Sequence, residues 1–132
     1  MNYLPIVLSA IASMVLGTLW YGPIFGKIWI KEMKFTEEAM AEAKKKGMAK
    51  TYLVAFVGAL VTAYVLSYVL GVLGADSWMA AAKVSLWIWL GFIATVKLGD
   101  VLWNGRSLKL FVLESSYYLV NLLAMSAVLT NL

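Results

Sequence analysis

Of 132 residues only 14% are charged and 63% are hydrophobic, with a mean hydropathy of +0.84; a soluble domain carries about 25% charged residues, so one is excluded and an integral membrane protein is predicted. The absence of cysteine and histidine removes disulfides, thiol nucleophiles, His-based triads and nearly all zinc sites, so neither a cofactor nor an enzyme is expected. The net charge of +4 gathers in one lysine-rich segment without the interleaved aromatics of a base-stacking platform, which excludes nucleic acid as a partner and makes the charge a reporter of topology.

Four apolar runs follow one another: Leu4 to Tyr21, Tyr52 to Leu73, Trp78 to Trp103 and Leu110 to Leu132. Each is near the about 20 residues that a helix needs to cross a bilayer core of about 30 Å. The fold class is therefore all-α, a polytopic membrane protein with four transmembrane helices. A short cytoplasmic amphipathic helix is added below, all within a single transmembrane domain, 1–132. In the first run Asn2 is placed to cap and Pro5 falls in the first turn, where a missing N–H costs little. No lysine or arginine precedes Ala10-Ile11-Ala12, and the apolar stretch before it is short. The run is expected to be a span rather than a cleaved signal peptide.

The first run ends in "LWYGPIFGKIW", where Gly22-Pro23 stops the helix because the residue before proline is pushed out of helical geometry. Trp20, Tyr21, Phe25 and Trp29, with Lys27 and Lys31 just beyond, have the make-up of an aromatic belt at the headgroups. Trp103 takes the same part after the third run, before the turn Asn104-Gly105. A second reading makes Gly22-Pro23-Ile24-Phe25-Gly26 a functional turn folded back toward the bundle, with Gly22 and Gly26 allowing close backbone approach.

The connector "TEEAMAEAKKK", Thr36 to Lys46, predicts a surface helix. Thr36 can cap it, Glu37 and Glu38 suit its start, and Lys44 to Lys46 with Gly47 suit its end. Phe35, Ala39, Met40 and Ala43 share one face, either resting on the membrane surface or simply solvated. Lysines 27, 31, 34, 44, 45, 46 and 50 fall in the first connection and Arg106 and Lys109 in the third, against only Asp76 in the second, with Lys83 a little inside the next helix. The basic connections are expected in the cytoplasm and both termini outside, in the cell (plasma or inner) membrane.

Small residues recur along the spans: Ser9, Ser13 and Gly17; Ala55, Ala59, Ala63, Ser67 and Gly71; Gly91, Thr95 and Gly99. In lipid such ridges let helix backbones approach, and they predict packing rather than catalysis. The likeness of "LGTLWYG" to "LGDVLWNG" fits either a parallel two-hairpin repeat, 1–74 and 75–132, or coincidence among apolar segments.

Lys97, Asp100 and Glu114 lie inside the third and fourth runs, where ionisable groups are costly. Lys97 stands six residues before Trp103 and Glu114 five after Lys109, so both lie roughly 8–9 Å inside the boundary and can pair, with Asp100 sharing the lysine. Glu114, Tyr117, Tyr118 and Asn121 form one stripe by i, i+3, i+4, i+7 spacing, expected to face the bundle interior. The cluster reads as a structural lock or as a proton or cation site opening to the cytoplasm.

Together "LWYGPIFGKIW", "FTEE…KKKGMAK", "FVGALV", "WLGF" and "LWNGRSLKLF" resemble the small bacterial and archaeal membrane proteins filed as domain of unknown function 1761. The resemblance covers nearly the whole chain, most specifically at Trp20-Tyr21-Gly22-Pro23 with Phe25, Gly26, Lys27 and Trp29. It implies a four-helix membrane unit and brings no activity, substrate or catalytic residue. The residues point to a small transporter- or channel-like homo-oligomer with an ion or small-molecule substrate. The alternative is an accessory protein that binds lipid or another membrane protein.

Overall fold

The structure, a computed structural model, describes residues 3–132. Six helices follow in chain order: α1 Leu4–Ile24, α2 Gly26–Met33, α3 Glu37–Lys46, α4 Ala49–Val72, α5 Trp78–Trp103 and α6 Leu108–Asn131. The class is all-α, and α1, α4, α5 and α6 are long and apolar enough to cross a membrane. The cap proposed at Asn2 lies outside the described residues; Pro5 sits in the first turn of α1. The short helix α2 is an addition to the expected elements, since its aromatic and basic residues read as a belt without a helix of their own.

Side-chain chemistry sets the helix ends. Thr36, Ser77 and Ser107 accept the N–H groups of Ala39, Ala80 and Leu110 at 3.1, 3.2 and 3.1 Å, satisfying donors that the first turn leaves open. Past α4, Gly74 takes a positive φ of 67° and the Ala75 N–H reaches back to the Leu70 carbonyl at 2.8 Å. That reversal, which glycine makes without strain, turns the chain directly into α5.

Helix α6 is the axis of the bundle: α1 packs on one side of it and α5 on the other, while α4 packs chiefly against α1. The contacts use small residues, as packing in lipid requires. Ser9, Ala10 and Ser13 of α1, Ala63 of α4 and Ala81 and Ser85 of α5 are buried around Leu122, Met125 and Ser126 of α6. Ser85 and Ser126 meet hydroxyl to hydroxyl at 2.8 Å in that interior. Three indoles fasten the outer helices to α6. Trp20, Trp89 and Trp78 donate Nε1–H to the carbonyls of Leu113 (3.1 Å), Ser115 (2.7 Å) and Leu123 (3.3 Å). An indole N–H away from water needs such a partner.

The third small-residue ridge does not pack as expected: Gly91 and Thr95 are exposed and Gly99 is only partly covered. The reason is a wide π-type turn at Trp89–Ala94 within α5. At about 100° per residue, Lys97 would lie about 120° round the helix from buried Ser85; one extra residue in the turn brings it to about 20°. The same rotation turns Thr95 and Gly99 away from α6 and Ile93, Ala94 and Lys97 toward it.

Candidate functional site

The rotated end of α5 brings the charged side chains together. Lys97 Nζ lies 2.9 Å from Glu114 Oε2 on α6 and 2.9 Å from Asp100 Oδ2 one turn along its own helix. Asn104 Nδ2–H donates to the other Asp100 oxygen at 3.0 Å. The Lys97 and Glu114 side chains are 21% and 17% exposed, so their attraction is little screened. The Tyr118 ring centre lies 6.0 Å from Nζ, at the outer limit of a cation–π contact. One ammonium bridges two carboxylates, and the Arg106 guanidinium adds a second positive charge on the Asp100 side.

The expected polar stripe on α6 divides between two neighbours. Tyr118 goes with Glu114 toward α5, whereas Tyr117 turns to α1, its hydroxyl 3.5 Å from the Ser13 carbonyl. A Cβ at Gly17 would stand 3.1 Å from that hydroxyl, so α1 carries glycine where the tyrosine crosses it.

Tyr117 is also where the "LWYGPIFGKIW" stretch arrives. Trp20 and Tyr21 place their ring centres 6.1 and 5.2 Å from it; Tyr21 continues to Trp29 at 5.0 Å, and Trp29 to Phe35 at 5.3 Å. Trp20 and Tyr21 therefore pack against α6, half-buried, whereas Trp103 is 85% exposed. The backbone between them and α2 stays outside: Gly22, Pro23 and Ile24 are exposed, and Lys27 faces outward. Gly22 leaves helical geometry at φ −112°, ψ −105°, and the Phe25 N–H then bonds the Trp20 carbonyl at 2.9 Å. Gly26 is buried, and a Cβ there would fall 2.8 Å from the Tyr21 carbonyl oxygen. Each earlier reading of this stretch describes half of it: a solvent-side helix stop whose two leading rings fold inward.

Asn121 is 7% exposed and its Oδ1 has no hydrogen-bond partner. It lines a recess of about 280 Å³ with Thr62 of α4, Phe92, Ile93, Val96 and Lys97 of α5, and Tyr118 and Leu122 of α6. Thr62, Ile93 and Leu122 also line an apolar hollow of about 290 Å³ with Val65, Leu66, Val69 and Ile88. The two form one cleft between α4 and α5, floored by α6, polar at one end and apolar at the other. Thr62 belongs to it without having been expected, because its neighbours read as a lipid-facing apolar run. Its hydroxyl is held by the Gly58 carbonyl at 3.0 Å, leaving its methyl for the cleft. Among the described residues no group of three or more carboxylates, histidines or cysteines comes together around a metal position.

Four apolar helices, joined by small residues, indole-to-carbonyl bonds and one charged cluster, define a polytopic all-α membrane protein. Over residues 4–130 the chain matches the family described as Protein of unknown function (DUF1761), and it belongs to that family. No curated protein and no solved structure matches it.

Proposed function

We propose that the protein binds a lipid-like amphiphile in the cleft between α4 and α5, as an accessory membrane protein. The observation that carries this reading is the buried Asn121 amide, short of a partner, beside an apolar hollow that is lined by side chains of both outer helices. A buried amide without partners is costly, and a bound polar group relieves that cost. The Lys97 ammonium is already bridged by two carboxylates, so it is not free to receive an anionic head. A hydroxyl both donates and accepts, so it suits Asn121 whichever amide atom faces it. A neutral, hydroxyl-bearing long-chain molecule fits both conditions, its chain lying along Val65, Val69 and Ile88.

A photoactivatable long-chain alcohol added to the purified protein should label peptides containing Thr62 and Phe92. In Asn121→Leu the apparent affinity should fall about five- to tenfold, the worth of one buried hydrogen bond. Equal labelling of the variant would remove Asn121, and with it this reading.

The partly buried Glu114 carboxylate, 17% exposed inside a span, supports a second reading, movement of protons or a small cation past it. A single unit of four short helices encloses little room, so this reading calls for association of several copies. Proteoliposomes separate the two: a proton or cation flux abolished in Glu114→Gln favours transport, while amphiphile binding with no flux favours the accessory role.

The orientation assigned to both readings, lysine-rich side cytoplasmic, has its own test. Single cysteines in place of Ser77 and Lys45 should react from opposite sides of the membrane, Lys45→Cys only from the cytoplasm. Reaction of both from one side is incompatible with four spans.

A further inference from the structure

A second hollow lies on the other flank of α6, apart from the cleft and the charged cluster. It measures about 610 Å³ and is lined by Trp20, Phe25 and Ile28 on one wall and by Leu108, Lys109, Val112, Leu113 and Ser116 on the other. That volume is within the about 300–1,000 Å³ of small-molecule sites. Its walls are apolar except for the Ser116 hydroxyl and the Lys109 ammonium at the start of α6. From Lys109 to Ser116 the α6 wall runs about 10 Å along the helix axis, at about 1.5 Å per residue. The hollow thus lies parallel to the spans, as an acyl chain does, with its cation at the end where α6 leaves the lysine-rich connection.

From this geometry we infer that the hollow holds one acyl chain of an anionic phospholipid, with the lipid phosphate on Lys109. The charges around the mouth favour that headgroup. Lys109 is exposed and makes no ion pair among the described residues, where the only ion pairs are those of Lys97. Lys27 and Lys31, both exposed, flank Ile28 on α2. The nearby Glu32 carboxylate, which accepts the Ser107 hydroxyl at 3.0 Å, keeps its charge but is outnumbered by the three lysines. The Trp20 indole N–H, already given to the Leu113 carbonyl, presents a satisfied, apolar wall to the chain. Cations at the end of a span attract anionic lipid, and Lys109, the one lining the hollow, contributes about a fivefold preference.

The experiment compares phosphatidylglycerol with phosphatidylcholine of identical chains, added to the delipidated protein and counted as retained lipid by native mass spectrometry. The wild type should retain phosphatidylglycerol about fivefold more than phosphatidylcholine. Lys109→Glu should lose that preference while still retaining some lipid of either kind. Val112→Trp, which fills the hollow, should retain neither at this site. Val112→Ala serves as the folding control and should behave as the wild type. Undiminished phosphatidylglycerol preference in Lys109→Glu, or full retention in a folded Val112→Trp, overturns the assignment. Equal retention of the two lipids by the wild type overturns the headgroup choice. None of these outcomes depends on the cleft at Asn121, whose hydroxyl-bearing ligand is read in its own assay.

Discussion

Glu114→Gln is expected to destabilise the protein strongly, because it leaves the Lys97 ammonium inside the membrane with only Asp100 beside it. Breaking one side of a buried ion pair costs about 3–5 kcal/mol. The lower end applies here, since Asp100 stays 2.9 Å from Nζ and retains part of the charge. Lys97→Met should be costly for the converse reason, stranding Glu114 next to Asp100 with no cation between them. The double variant, Lys97→Met with Glu114→Gln, should recover a good part of the loss, because methionine fills the space of the lysine stem and glutamine carries no charge. Unfolding measured in lipid–detergent mixtures reads all three. If the two single losses simply add in the double variant, the contact at 2.9 Å carries no coupling and the lock is not one.

Gly26→Ala is expected to be nearly as harmful, although it adds one methyl group. The added carbon would sit 2.8 Å from the Tyr21 carbonyl oxygen, a backbone atom that cannot move without taking the turn with it. Overpacking of this kind costs about 1–3 kcal/mol. Relief would swing α2 away from α1 and loosen Tyr21 from Tyr117 and Trp29, so tryptophan emission should change together with stability. Gly22→Ala gives the contrast. Nothing stands within 4 Å of a Cβ there, so the added methyl group meets no neighbour and the loss should be smaller than at Gly26. Equal effects at the two glycines would show that flexibility, rather than close approach, is what Gly26 supplies.

Much of this architecture could be read from residue order. Apolar runs of the right length mark the four spans, because a bilayer core imposes a length that no neighbour can alter. Thr36 and Gly47 bracket α3 for equally local reasons, the side-chain cap at 3.1 Å and the positive φ of 81°. Matching distances from the ends of adjacent helices put Lys97 and Glu114 at one depth, since helical rise converts residue counts into depth; the wide turn in α5 then faces them toward each other.

Rotation about each helix axis was another matter. In α4 the small-residue ridge marked Ala63, which is buried, but a span apolar all round gives no polar stripe that would place Thr62. In α5 the regular spacing chose Gly91, Thr95 and Gly99 as the packing face, whereas the wide turn at Trp89–Ala94 presents Ile93, Ala94 and Lys97 instead. Aromatic residues at a span's end also have two outlets of similar energy, the headgroup region or a neighbouring helix. Trp20 and Tyr21 took the second because the Leu113 carbonyl and the Tyr117 ring stood within reach, while Trp103 stays exposed. Length, hydropathy and charge are properties of the chain alone, and they determined that this is a helical membrane protein with four apolar helices long enough to span and most of its lysines in the first connection. Which faces meet, which indoles turn inward and where a cleft stays open depend on contacts between helices distant in the chain, and only the packed bundle decided them.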